Sequence, residues 1–102
     1  MFNIVFSKEY EFAPRALAKM RQSAGLSQQQ LADVLERAQS HVFRMETGQR
    51  SIEIVEFCRI AHATGHDPAE ALAALLVEWA ANGCDYRPPA AQSVSAPQSA
   101  AN

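Results

Sequence analysis

At 102 residues with 48% hydrophobic side chains, the chain has the size and composition of one domain with one core, not of a disordered segment. No apolar run approaches the roughly 18–20 residues of a membrane span, and residues 1–6 lack the basic start and small-residue cleavage site of a secretory signal. Cys58 and Cys84 make no disulfide framework, which points to a reducing cytoplasm, and the net charge of −2 has to be read through its distribution.

That distribution is polarised. Residues 13–50 carry Arg15, Lys19, Arg21, Arg37, Arg44 and Arg50 against Asp33, Glu36 and Glu46. Residues 51–87 reverse the balance, with Arg59 and Arg87 against Glu53, Glu56, Asp67, Glu70, Glu78 and Asp85. Sign asymmetry along a chain bears on partners where a total does not.

Taken in chain order, residues 1–12 read as a short extended arm. Phe2, Ile4 and Phe6 alternate with their neighbours, but one strand cannot pair with itself. Pro14 is suited to the first position of a helix, and Leu17, Met20 and Ala24 share one face before Gly25 stops it. Ser27 caps a second helix and Gln30 completes a capping box. Leu31, Val34 and Leu35 form its expected inner face. After a break at 36–38, a third helix covers 39–47 with Val42 and Met45 inward, ended by Gly48. Ser51 is the expected cap of a fourth helix, which runs to Gly65 with Val55, Cys58 and Ala61 inward and Phe57 beside them. Asp67, Pro68 and Glu70 start a fifth helix by a capping Asp, a proline at the first position and an acid at the third. From residue 88 the chain is almost entirely Ala, Ser, Gln and Pro, a composition that has little to bury and reads as a disordered tail.

The expected fold is therefore all-α, a compact five-helix bundle. The central observation is the pair of helices at 27–35 and 39–47 joined by a three-residue break, a spacing that sets two helices at a large angle as a helix-turn-helix. Ala32 suits the close crossing, and Leu31, Leu35, Val42 and Met45 supply the apolar contact. This leaves Gln39, Ser40, Phe43 and Arg44 facing outward. Amide and guanidinium groups are the side chains that read base edges, Gln on adenine and Arg on guanine.

These residues resemble the Cro/CI-like (XRE-type) helix-turn-helix repressors. The resemblance spans 17–68 and rests on Arg21 before Gly25-Leu26-Ser27-Gln28, on Leu31-Ala32, on Gln39-Ser40 before Val42, and on Glu46-Thr47-Gly48. It implies a fold of the lambda-repressor-like type occupying 13–87. It also implies double-stranded DNA as partner, with Gln39, Ser40, Phe43 and Arg44 at the bases and Gln28, Arg21, Arg50 and Ser51 at phosphates. Arg21 and Glu46 occupy positions that pair in relatives. Three residues depart from the pattern. Glu36 stands where glycine is usual, Ala38 replaces a hydroxyl cap, and Phe43 is bulky and apolar, suited either to a thymine methyl or to another protein.

Leu72, Leu75, Leu76 and Trp79, with Val77, exceed what one face of a small bundle needs, and are read as the interface of a homodimer. Such a dimer would place two reading helices about one DNA turn apart on a pseudo-palindrome. A protein-bridging module, as in an antitoxin with a toxin partner, is the alternative. Cys58, His62 and His66 fall at i, i+4 and i+8, but Gly65 takes the third off the helix face, so no metal is expected. Glu53 and Glu56 read as a solvated face. Neither a nucleophile with a base nor a phosphate loop is present, so the chain is not expected to be an enzyme or to need a cofactor or small-molecule ligand.

Overall fold

The computed structural model describes residues 7–86. Residues 1–6 of the expected arm at 1–12, and the expected tail at 88–102, lie outside them. The described residues form five helices and no strand: α1 Glu9–Ser23, α2 Gln28–Leu35, α3 Gln39–Glu46, α4 Ile54–Ala63 and α5 Pro68–Ala81. No helix among them is long and apolar enough to cross a membrane. Helices α1 and α4 form the middle of the molecule, with α2 and α3 packed on one side and α5 on the other. The core is drawn from all five, with Leu17, Leu31, Leu35, Val42, Met45 and Ile60 fully enclosed.

Helix α1 starts at Glu9, five residues before the proline that the sequence reading takes as its first residue. Residues 9–12, assigned to an arm, are thus helical. Phe12 and Ala13 are buried in the core, and Glu9 and Glu11 place negative charge at the positive helix end. Pro14, now internal, has no N–H to give the Tyr10 carbonyl. Gly48 packs over that spot, where a side-chain Cβ would lie 3.7 Å from the Tyr10 oxygen and 3.8 Å from Pro14 Cγ. Tyr10 also receives the Ile52 N–H on its hydroxyl at 3.2 Å. At the other end of α1, Leu26 and Gly25 donate N–H bonds to the Arg21 and Gln22 carbonyls, the Schellman closure, so Ala24 is an exposed cap and no part of the inner face.

Helix α4 is capped by Glu53, not Ser51: its carboxylate accepts the Glu56 N–H at 3.3 Å. The inner face is Phe57, Ile60, Ala61 and Thr64, while Val55 is exposed and Cys58 half-buried. The larger apolar pair, Phe57 and Ile60, sets the rotation of the helix, and the expected Val55–Cys58 face turns outward. Val34 is likewise exposed, because the buried edge of α2 is Leu31, Ala32 and Leu35. Thr64 keeps its hydroxyl satisfied by the Ile60 carbonyl at 2.8 Å and stands 2.9 Å from His66 Nδ1, which explains two polar residues at a helix end. Among the described residues no three His, Cys, Asp or Glu side chains gather as a metal set.

Helix α5 follows its start signals closely: Asp67 caps it by accepting the Ala69 N–H at 2.9 Å, with Pro68 in the first turn. Its sequence is apolar nearly all round, yet Leu75 alone is fully buried. Leu75, expected at a dimer interface, therefore belongs to the core of the single chain. Trp79 is half-buried against the core, edge-on to Tyr86 with ring centres 5.7 Å apart, and Tyr86 donates its hydroxyl to Glu9. Leu72, Leu76 and Val77 stay partly or largely exposed.

Candidate nucleic-acid interface

The α2–α3 unit is built from local rules outward. Ser27 accepts the Gln30 N–H at 3.0 Å and Gln30 Oε1 accepts the Ser27 N–H at 2.8 Å, a complete capping box. At the far end of α2, Glu36 adopts φ 58°, ψ 47°, and no other non-glycine residue among those described has a positive φ. This left-handed turn, closed by the Arg37 N–H on the Ala32 carbonyl at 2.9 Å, redirects the chain into α3. A side chain there carries strain, so Glu36→Gly should raise stability by about 1 kcal/mol, read as a higher urea midpoint. Ala38, which opens α3, provides no side-chain cap. Ala32 is fully buried, as the close crossing of α2 and α3 requires.

A polar chain runs beneath the outward face of α3. Arg21 Nε and Nη2 donate to Glu46 Oε2 and Oε1 at 2.7 and 3.0 Å, and Arg21 Nη1 donates to the Leu26 carbonyl at 2.8 Å. Gln28 Nε2 donates to the same Glu46 Oε1 at 3.0 Å, and Gln39 Nε2 donates to Gln28 Oε1 at 2.7 Å. The Arg21 and Glu46 side chains are 14% and 5% exposed, so this is a nearly buried, bidentate pair. The hydrogen bond to Glu46 holds the Arg21 proton more firmly than in a free guanidinium, against the opposing effect of burial. The pair ties the end of α1 to the end of α3.

The expected reading residues do come together. Ser40, Phe43 and Arg44 are exposed on one side of α3, and Gln39 is half-buried beside Gln28. Gln39 spends one N–H on Gln28 and retains its carbonyl and a second N–H, the donor–acceptor pair that matches adenine. Arg50 and Ser51 are exposed in the segment after α3, where the Arg50 and Gln49 N–H groups return to the Arg44 carbonyl at 3.2 and 2.9 Å. Gln28 and Arg21, read from the sequence as phosphate ligands, are first of all members of the internal chain.

One part of the site is invisible in the sequence. Glu56, assigned there to a solvated face, is only 6% exposed. It stands between Arg37 of the α2–α3 turn and His41 of α3, with Oε1 at 3.6 and 3.7 Å from their Nε and Nε2 atoms. No local pattern marks this cluster, because its three members come from separate elements.

A helix-turn-helix domain family matches residues 15–75. No match is found among curated proteins. Among solved structures, the chain is similar to an XRE-family like protein from Pseudomonas syringae pv. tomato str. DC3000, at 31% identity and a TM-score of 0.64 over 69% of this chain and 85% of that one. It also shares the fold of the clp gene regulator ClgR from Corynebacterium glutamicum, at 20% identity and a TM-score of 0.65 over 74% and 81% of the two chains.

Proposed function

The chain belongs to the XRE-type helix-turn-helix family of transcription regulators, and from that premise we propose that it is a repressor that binds a pseudo-palindromic operator in double-stranded DNA as a homodimer. The observation that carries this reading is the outward face of α3. Ser40, Phe43 and Arg44 are exposed there beside Gln39, on a helix whose orientation is held by the Gln39–Gln28–Glu46–Arg21 chain. Side chains that read base edges need a rigid support, since a displaced donor loses its base. Arg50 and Ser51 lie just past that helix and meet the phosphate backbone in this reading, together with the remaining donors of Gln28 and Arg21.

The homodimer draws support from α5, whose Leu72 and Val77 are exposed and whose Leu76 is half-buried in the single chain. A toxin-like protein is the additional partner in this reading. Protein bridging without DNA is favoured by one observation, the 43% exposure of the Phe43 ring in the middle of the reading face.

Binding to duplex DNA across a salt series separates the two. A phosphate-gripping protein loses affinity steeply as salt rises, because bound counterions are released on association. A chain that binds no duplex at any salt concentration is not a DNA-binding regulator. Once a preferred sequence has been selected from a random pool, Arg44→Ala should lower affinity for it by about 1–3 kcal/mol and relax choice at one base pair. An unchanged preference would remove Arg44 from the reading set.

A further inference from the structure

The Glu56 cluster lies on the flank of α3 that faces α4, beside the residues assigned above to DNA. Its carboxylate is buried, Oε1 is near Arg37 and His41, and the equally buried Oε2 accepts no hydrogen bond. The His41 side chain is 17% exposed. The charged groups that face its ring are Glu56 from α4, Arg37 from the α2–α3 turn, Arg44 from α3 itself and Arg50 from the segment after α3. Burial first, and then the three arginines, keep the ring less basic than an ordinary imidazole, while Glu56 alone opposes them. His41 is thus a ring held below its ordinary basicity, placed between a carboxylate that favours its proton and arginines that repel it.

Two of those arginines, Arg44 and Arg50, are the ones assigned to bases and phosphates. Phosphate groups drawn to them cancel the field that strips His41 of its proton, and leave the attraction of Glu56 unopposed. We propose that His41 takes up a proton from solvent when DNA binds and keeps it on the ring, with the Glu56 carboxylate as the positioning residue that faces the charged ring, so that DNA affinity rises as pH falls. A neutral imidazole has hydrogen on one ring nitrogen and an imidazolium on both. Whichever nitrogen carries it first, the imidazolium has a hydrogen on Nε2, directed toward the Glu56 carboxylate. The inference rests on the DNA-binding reading.

The sign follows from linkage. The ring binds its proton more tightly in the complex than in the free protein, so affinity increases as pH drops through the interval between the two titrations. The gain is at most about tenfold per pH unit for each protomer. The test measures binding of the full chain to a fluorescent mixed-sequence duplex between about pH 8 and 5.5 at constant ionic strength. The wild-type affinity should rise toward low pH, His41→Gln should flatten the profile, and Glu56→Gln should move the rise to lower pH. Equal slopes for the wild type and His41→Gln overturn the proposal, and an unmoved profile in Glu56→Gln overturns the part given to Glu56. Should either variant fail to fold, NMR titration of the wild-type His41 ring decides. An upward move on adding the duplex supports the proposal, and an unmoved titration overturns it. Absence of binding at every pH is a different result, and overturns the DNA-binding reading itself.

Discussion

Glu46→Ala should lower the stability of this chain by about 3–5 kcal/mol, the largest effect expected of any single change at the site. Three donors converge on that carboxylate, two from Arg21 and one from Gln28, and it is 5% exposed. Removing it leaves the Arg21 guanidinium enclosed with no counter-charge and holding only the Leu26 carbonyl. A small domain has roughly 5–15 kcal/mol in all, so a loss of this size takes it close to unfolding. Urea denaturation followed by circular dichroism measures it. The Gln28 amide also loses its acceptor, so Gln39 loses its fixed support, and specific DNA affinity should fall further than non-specific affinity. A loss below about 1 kcal/mol, the usual worth of a surface pair, would show that the pair does not hold α3 in place.

Leu72→Glu combined with Leu76→Glu should convert a dimer into a monomer and reduce operator affinity by about 10²–10⁴-fold. In the proposed homodimer two linked reading heads would engage two half-sites, the second at high effective concentration, and that advantage would vanish on separation. Both leucines lie on one side of α5, four residues apart, and retain exposure in the single chain. Two facing carboxylates per subunit would meet across a twofold axis and repel. Sedimentation of the wild type and the double variant reads the association state, and circular dichroism verifies the fold. Leu75→Glu is the wrong test, because Leu75 is 5% exposed within the monomer and its loss would unfold the chain. A wild type that sediments as a monomer at tens of micromolar, roughly, or a double variant with unaltered operator affinity, would remove α5 from the interface.

What the sequence disclosed divides along physical lines. The α2–α3 unit was legible because its signals are local: a Ser and a Gln three apart, a small residue at the crossing, apolar positions at helical spacing. The Arg21–Glu46 pair was legible through the family pattern, 25 residues apart in the chain. The start of α1 was not, because Pro14 is a common first residue and only the burial of Phe12, a tertiary fact, carries the helix past it. The rotation of α4 was misread because Val55, Phe57, Cys58 and Ile60 offer two apolar faces, and the choice between them belongs to the neighbours. Glu56 was misread for the same reason: a carboxylate near a helix start reads as solvated until Arg37 and His41 are brought to it.

The hydrogen bond from the Ile52 N–H to the Tyr10 hydroxyl joins points 42 residues apart. It makes the first turn of α1 a guy-rope for the segment that carries Arg50 and Ser51. A cut that removes Tyr10, within what reads as an extended arm, would slacken that segment at a distance. Amide hydrogen exchange at Ile52 would register the slackening before any change in helix content. The residues that read as an extended arm thus include a phenol that reaches across to the segment after α3.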